Sequence, residues 1–483
     1  MATNASGGLG PLILPFGPFD CWTSRYENNW LASLANNRMP SFLHQAVPRY
    51  TSYPTAPNFT SAVDAAVYRS WLEELPKGAT LSVYLHVPYC RDLCLYCGCN
   101  TKATHKHEPI KKYAKLIVEE IAYIARYASR RRVTHLHWGG GTPSILGADL
   151  LKFIADELER HFDLGAVREH AIELDPRYVE PSLVRALRSI GINRSSFGVQ
   201  DFSPQVQEAV GRIQPFEVVR DAAAVLRESG IDRINLDLMY GLPRQTTEDV
   251  RRTAILAHEL RPQRIAVFGY AHVPWFRPQQ RLIDESELPS AHERLAQAAA
   301  AHETLVQLGY KPIGLDHYAR PDDQLVPVAT TGRLHRNFQG YTIDDADALI
   351  GVGASAISRL AKGFAQNAPD VGNYSRAIAT GKLATVRGIA ISDDDRLRGQ
   401  IIERLMCDMA VDLAAIVKGS GIDIERDFSA ALTSLRPLQD DGSLQIEGHR
   451  IRITEKGRPF ARIVASAFDA YLAGSQARHS PAV

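Results

Sequence analysis

From residue 80 onward the chain alternates between two hydrophobic periods. The run LSVYLHVP (81–88) sets apolar and polar positions in turn, as a half-buried strand does. After it Ile110, Ala114, Ile117, Ile121 and Ile124 recur at helical intervals and mark one face. The strand VTHLHW comes next, and Leu150, Leu151, Ile154 and Leu158 trace a second helix. The exchange repeats with HAIELD and the helix of Leu183, Val184, Leu187 and Ile190. It repeats again with RSSFGVQ and the helix of Val218, Val219, Ala222 and Leu226. RINLDLMYG then leads into TTEDVRRTAILAHEL, where Thr246 or Thr247 can cap the helix, and RIAVFGYAH is a sixth strand. Serial βα units predict a parallel sheet, because parallel neighbours need such crossovers. The sheet is either open and doubly wound or a partly closed barrel.

Glycines and polar residues stand at the end of each strand: the loop after 88, Gly139 to Gly141, Glu173 with Asp175, Gln200 with Asp201, Asp237, and His272. In a parallel barrel those ends meet at one mouth, whereas an open sheet offers a single crevice. Contributions from every strand favour the partial (β/α)6 barrel. Beyond Pro289 an alanine-rich helix spans roughly 290–308, and YKPIGLDHYARP reads as a further strand and loop. LHRNFQGY and LIGVGASAIS have no clear period. Near 392 Ser392 and Asp395 resemble a capping box ahead of a helix through Leu405. A helix, two short strands in SLQIEGHRIRIT and a last helix then suggest a mostly helical, winged-helix-like C-terminal domain. The expected division is a disordered extension (1–38), a leader (39–80), the barrel (81–315), connecting and lid elements (316–390) and the C-terminal domain (391–483). The extension is rich in Gly, Pro, Asn and Ser, and Met39 is a candidate translation start.

Composition excludes several classes. The 55 basic and 54 acidic residues leave a net charge of +1, which gives no bulk electrostatic pull toward nucleic acid or an anionic membrane and leaves room for a local basic pocket. No stretch approaches the roughly 20 apolar residues that span a bilayer. PLILPFGPF is short, proline-broken and without a charged lead, a poor signal peptide, so a cytoplasmic location is expected. Of six cysteines, Cys90, Cys94, Cys97 and Cys99 crowd together, while Cys21 and Cys407 stand apart as expected spectators. Clustering favours metal or redox chemistry over a disulfide framework.

Cys90, Cys94 and Cys97 have C-x3-C-x2-C spacing directly after a strand. Thiolates suit iron–sulfur clusters and zinc. A structural zinc site wants four ligands, usually in two paired knuckles, and no second knuckle follows. Three thiolates on a four-iron cluster leave one iron open to a small molecule. Cys99 lies too near Cys97 to serve the same cubane and is read as a non-ligand. The other residues have plainer readings when taken singly. GGGTP can be a tight turn, Glu173 and Asp237 helix caps or loop carboxylates, and Gln200 a partner of backbone. Arg212 can be solvated, Tyr84 core, and His86, His137 and His272 structural hydrogen-bonding residues.

CRDLCLYC resembles the signature of radical S-adenosylmethionine (SAM) enzymes, whose open iron binds the methionine moiety of the cofactor. The likeness extends further. RYTSYPTAP (49–57), YLHVPYCRDLCLYCGCNT (84–101), HWGGGTPS (137–144), IELDPR (172–177), GVQDF (198–202), INLDLMYGLP (234–243), GYAHVPW (269–275) and LHRNFQGYT (334–342) resemble the oxygen-independent coproporphyrinogen III oxidases. From Arg49 to the C-terminus, that resemblance implies a partial barrel of radical SAM type and a [4Fe–4S] cluster on Cys90, Cys94 and Cys97. It also implies two SAM molecules, and conversion of two propionates of coproporphyrinogen III to vinyl groups, giving protoporphyrinogen IX. By motif, one SAM would lie against Tyr84, Gly140 and Glu173. The other would contact Tyr96, Gly141, Thr142, Gln200, Arg212, Asp237, Ala271 and Ile357. Arg49, Arg177 and Arg336 are candidates for the substrate carboxylates. An electron donor such as a flavodoxin or ferredoxin, and a monomeric state, are implied as well. Two alternatives remain: a haem chaperone of the same family, whose members generally lack the RYTSYPT leader and GCN, and a radical SAM enzyme of the methyltransferase kind.

Overall fold

The apolar faces traced by the two periods close on one another as the periods predict. The computed structural model describes residues 45–329 and 331–472. The 1–38 extension, Met39 and Cys21 lie outside the described residues. Strands β1 (Leu81–Val87), β2 (Val133–Gly140), β3 (Glu169–Leu174), β4 (Arg194–Gln200), β5 (Arg233–Tyr240) and β6 (Arg264–Gly269) are parallel neighbours in chain order. Helices His107–Ala128, Gly147–His161, Pro181–Ser189, Phe216–Glu228 and Thr247–Glu259 cross between them. The face of Ile110, Ala114, Ile117, Ile121 and Ile124 is buried against the sheet. Thr246, rather than Thr247, caps its helix, accepting from the Asp249 backbone N–H at 3.1 Å while Asp249 accepts in return.

The sheet does not stop at the sixth strand. β7 (Lys311–Ile313) and β8 (His317–Ala319) continue it antiparallel past β6, while β9 (Ala348–Val352) pairs parallel with the free side of β1. β10 (Ile357–Leu360), β11 (Gly363–Asn367) and β12 (Thr385–Ala390) extend that wing antiparallel, making twelve strands in the order β12-β11-β10-β9-β1-β2-β3-β4-β5-β6-β8-β7. The segment LIGVGASAIS showed no period because all five residues of β9 are buried; a strand covered on both faces has no alternation to read.

The two ends of the parallel strands differ. At the N-terminal end Glu169, Arg194, Arg264 and Asp323 form a buried ion network, with 2.8 Å from Arg194 to Glu169 and 2.9 Å from Arg264 to Asp323. Charges paired there belong to stability, and the C-terminal end is left for chemistry.

Behind β9, Glu120 is buried and accepts from the Gly353 backbone N–H (2.7 Å), the Asn367 amide (2.6 Å) and the Tyr374 hydroxyl (2.6 Å). Burial pushes its carboxyl up to about 7, against the lowering effect of those three donors. The folded protein therefore keeps a proton that the unfolded chain releases near pH 4.5, and this contribution to stability fades as pH rises through about 7. The loss amounts to about 3 kcal/mol. Chemical denaturation midpoints are expected to fall between about pH 5 and pH 8, and to fall less steeply in Glu120→Gln. Identical pH profiles for the two proteins would contradict this.

The C-terminal region opens with the predicted capping box, Ser392 with Asp395, ahead of helix Asp393–Asp408. Helix Ser429–Asp440, a hairpin of Leu444–Glu447 and Arg450–Ile453, and helix Ala461–Ser466 follow. Ala410–Asp412 adds a third strand to the hairpin. The RYTSYPT leader is a strap between this region and the barrel. Arg49 Nη2 donates to Gly269 O (3.0 Å), Tyr50 donates to Asp469 (3.0 Å), and the Tyr53 hydroxyl accepts from the Ala470 backbone N–H (2.9 Å).

Candidate active site

The loop after β1 carries the three cysteines and is gripped from several sides. Leu95 N–H donates to Val210 O at 3.0 Å. Arg277 Nε donates to Gly98 O (2.9 Å), Gln279 to Cys97 O (2.7 Å) and Gln280 to both Tyr96 O (2.9 Å) and Ala271 O (3.2 Å). Gln280 also accepts from the Val273 backbone N–H, so one buried amide ties the cysteine loop to the chain after β6. Gln280→Leu leaves these backbone groups unmet and is expected to cost about 3 kcal/mol, since each orphaned buried group costs about 1–3 kcal/mol. Thermal unfolding measures it; a midpoint within about one degree of wild type would mean that the loop is held otherwise.

Cys94 is buried, Cys90 and Cys97 are half-buried, and Cys99 is exposed. Cys90 Sγ lies 3.2 Å from Thr101 Oγ1 and 3.5 Å from Thr142 Oγ1. Arg212 Nη1 reaches Cys94 Sγ at 3.4 Å and Asp175 at 3.4 Å, and its Nη2 donates to Gly198 O at 2.7 Å. The Cys97 thiol is lowered to about 7, chiefly by hydrogen bonding from Cys99 against the opposing effect of burial, with Arg277 and Arg212 helping. Among the described residues no three His, Cys, Asp or Glu side chains gather closely enough to share a single metal ion. A cubane takes each thiolate on a different iron and accepts thiols spread around it, so the donor set fits an iron–sulfur cluster.

The predicted neighbours lie at the same end. Tyr84, half-buried on β1, places its hydroxyl 3.1 Å from His86 Nδ1, and His86 Nε2 lies 3.0 Å from Asn100 O. Glu173 accepts from the Gly140 backbone N–H at 3.2 Å and sits 3.3 Å from His137, with its side chain 38% exposed to the mouth. A Cβ at Gly140, whose φ is +110°, would lie 2.7 Å from the His86 ring. Gly141 and Thr142 hold the end of β2 to the cysteine loop through N–H bonds to Val87 O and Tyr89 O, both 2.8 Å. Gln200 ends β4 with φ +68°, a left-handed conformation unusual for a side chain of its size. Asp237 accepts from Ser196 (3.1 Å), and burial, with Glu173 adding, raises it to about 7. The Tyr96 hydroxyl bonds the Cys94 thiol, and burial pushes it well up. Ala271 follows β6. Ile357 opens β10 just after the turn that leaves β9, which puts it at the same end of the sheet, two strands from Tyr84.

Arg177 is committed elsewhere, to Asp175 (2.6 Å) and Asp92 (4.0 Å). Cys407 is buried in a satellite core with Leu325, Leu334 and Tyr341. Thr101 was noticed only as the end of the 84–101 motif, and Arg277, Gln279 and Gln280, in and just before the short 3-10 helix Pro278–Leu282, went unnoticed. The nearest signal was the GYAHVPW motif just upstream of the last three.

Comparison with known proteins bears on the whole arrangement. Residues 84–257 match the family described as the Radical SAM superfamily, and residues 391–460 match the HemN C-terminal domain. The oxygen-independent coproporphyrinogen III oxidase of Bradyrhizobium diazoefficiens is 44% identical over 92% of this chain and 98% of its own length. That of Paracoccus denitrificans is 42% identical over 88% of this chain and 94% of its own. Among solved structures, the Escherichia coli coproporphyrinogen III oxidase (HemN), a radical SAM enzyme, superposes with a TM-score of 0.84 at 36% identity. It covers 89% of this chain and 100% of that one.

Proposed function

This chain belongs to the oxygen-independent coproporphyrinogen III oxidase family of radical SAM enzymes, and from that membership we propose that it converts two propionates of coproporphyrinogen III to vinyl groups, giving protoporphyrinogen IX. The enzyme is a radical SAM oxidoreductase with a [4Fe–4S] cluster and SAM. When bound, those groups supply a one-electron reduction that cleaves the sulfonium and yields a 5′-deoxyadenosyl radical. Each propionate gives up one hydrogen atom from the carbon β to its carboxylate, one CO2 and one electron to an acceptor.

Cys90, Cys94 and Cys97 are the proposed cluster ligands. What supports them is one loop at the C-terminal end of β1, with Thr101, Thr142 and Arg212 directed at its sulfurs. The loop's carbonyls are clamped from the far side of the mouth, which holds the thiols in place. Tyr84, Gly140 and Glu173 face one proposed SAM position. Tyr96, Gly141, Thr142, Gln200, Arg212, Asp237, Ala271 and Ile357 face the second. Glu173 and Asp237 can accept from an ammonium or ribose hydroxyls, and Arg212 is held charged by Tyr96, Asp175 and Cys94 against the effect of burial. Two SAM molecules, a flavodoxin or ferredoxin as donor, action as a monomer in the cytoplasm, and the 39–80, 81–315, 316–390 and 391–483 division belong to the same proposal. Among the described residues no helix is long and apolar enough to cross a membrane.

The observation that carries the reading is likeness along nearly the full length of two relatives, with the cysteine loop placed at the barrel mouth. Its test is anaerobic reconstitution with iron, sulfide, SAM, a reductant, an electron acceptor and coproporphyrinogen III. Protoporphyrinogen IX and 5′-deoxyadenosine are expected. A reconstituted cluster that yields neither would reject the activity.

A further inference from the structure

Two guanidiniums meet at adjacent carbonyls beside the mouth. Arg49, from the leader, donates to Gly269 O at 3.0 Å, and Arg294, from helix Ala291–Gln307, donates to Tyr270 O at 2.8 Å. Arg294 lies against Gly241 and Gly269, at the ends of β5 and β6, with its guanidinium over the Tyr240 ring. Neither arginine has a carboxylate within 4 Å among the described residues. Arg336 and Arg462 are close enough to act electrostatically on this group. The nearby carboxylate, Asp316, is already shared by Arg336 (3.4 Å) and His317 (2.7 Å).

Cations packed side by side with carbonyls and a ring as partners repel one another. Desolvation, opposed by Asp316 and reinforced by the neighbouring Arg336 and Arg294, lowers the Arg49 pKa. Such a cluster is stable in isolation only at a cost, and a polyanion entering the mouth removes that cost. Guanidinium forks match carboxylates in particular. The cluster sits next to Ala271, whose carbonyl is tied through Gln280 to the cysteine loop, so an anion here is bound within reach of the same mouth.

We propose that Arg49 and Arg294, backed by Arg336 and Arg462, bind propionate carboxylates of the tetrapyrrole and so set its orientation in the mouth. The assignment rests on the coproporphyrinogen reading above. It also gives the RYTSYPT leader a task, because the strap that joins the C-terminal region to the barrel delivers one of the two guanidiniums.

The test measures KM for coproporphyrinogen III, and the dissociation constant of coproporphyrin III by fluorescence quenching, in the reconstituted protein. Arg49→Gln and Arg294→Gln should each weaken both by about tenfold, and together by about a hundredfold or more, with a smaller change in kcat. Arg49→Lys and Arg294→Lys should recover part of the loss, which a purely structural role for the two carbonyl bonds does not require. In wild type the tetramethyl ester of coproporphyrin III should bind at least about a hundredfold more weakly than the free acid. An unchanged KM in the double variant, or equal binding of ester and acid should the double variant not fold, would overturn the assignment. A wild-type protein that neither binds nor converts coproporphyrinogen III would instead overturn the reading beneath it.

Discussion

Cys94→Ala is expected to abolish formation of protoporphyrinogen, lowering the rate by more than about a thousandfold, a barrier increase above about 4 kcal/mol. Cys94 is the buried member of the three and receives Arg212 at 3.4 Å. Its removal takes away one of three thiolates and leaves a buried guanidinium with one partner fewer. The same variant should lose the broad visible absorbance of the cluster after reconstitution. Cys99→Ala, by contrast, should keep that absorbance, since Cys99 is exposed and contacts the site through Cys97. Equal iron content in Cys94→Ala and wild type would remove Cys94 from the ligand set.

The second large effect is expected at Gly141. A Cβ there would stand 2.5 Å from both the Tyr89 carbonyl and Thr101 Oγ1, closer than real side chains come. The Tyr89 carbonyl is also the acceptor for Thr142 N–H, and Thr101 is the partner of Cys90. Gly141→Ala must therefore move the end of β2 away from the cysteine loop, or move the loop itself. Displacements of about 1 Å at a reacting centre cost on the order of a hundredfold in rate, so the loss in kcat/KM should be at least that. Gly78→Ala, with nothing within 4 Å of the added carbon, is the matched control and should be close to wild type. A Gly141→Ala enzyme with normal kcat/KM would show that this contact does not position the loop.

The parallel core was legible because βα crossovers leave amphipathic helices, and each strand end has polar residues where the barrel has its mouth. The wing β9 to β12 was not. β9 is covered on both faces, β10 and β11 are joined by a tight turn, and β12 pairs antiparallel with β11 only after the nine-residue helix Val371–Ala379. The candidate site divides along the same line. Residues at strand ends, such as Glu173 and Asp237, could be placed once the topology was known. Gln280 lies in the 3-10 helix Pro278–Leu282, too short to show a period, with Arg277 just before it, and Arg294 lies in a helix where an arginine reads as a solvated face. The pairing of Arg177 was hidden for a local reason: its guanidinium folds back two residues to Asp175, which sequence position alone does not reveal.

All that is proposed for the mouth depends on a four-iron cluster held by three thiolates, with one iron open to SAM. Electron paramagnetic resonance of the anaerobically reduced protein, with and without SAM, tests this directly. The expected result is the spectrum of a reduced [4Fe–4S] cluster whose g values shift when SAM is added. A cluster spectrum that SAM leaves unchanged would contradict it.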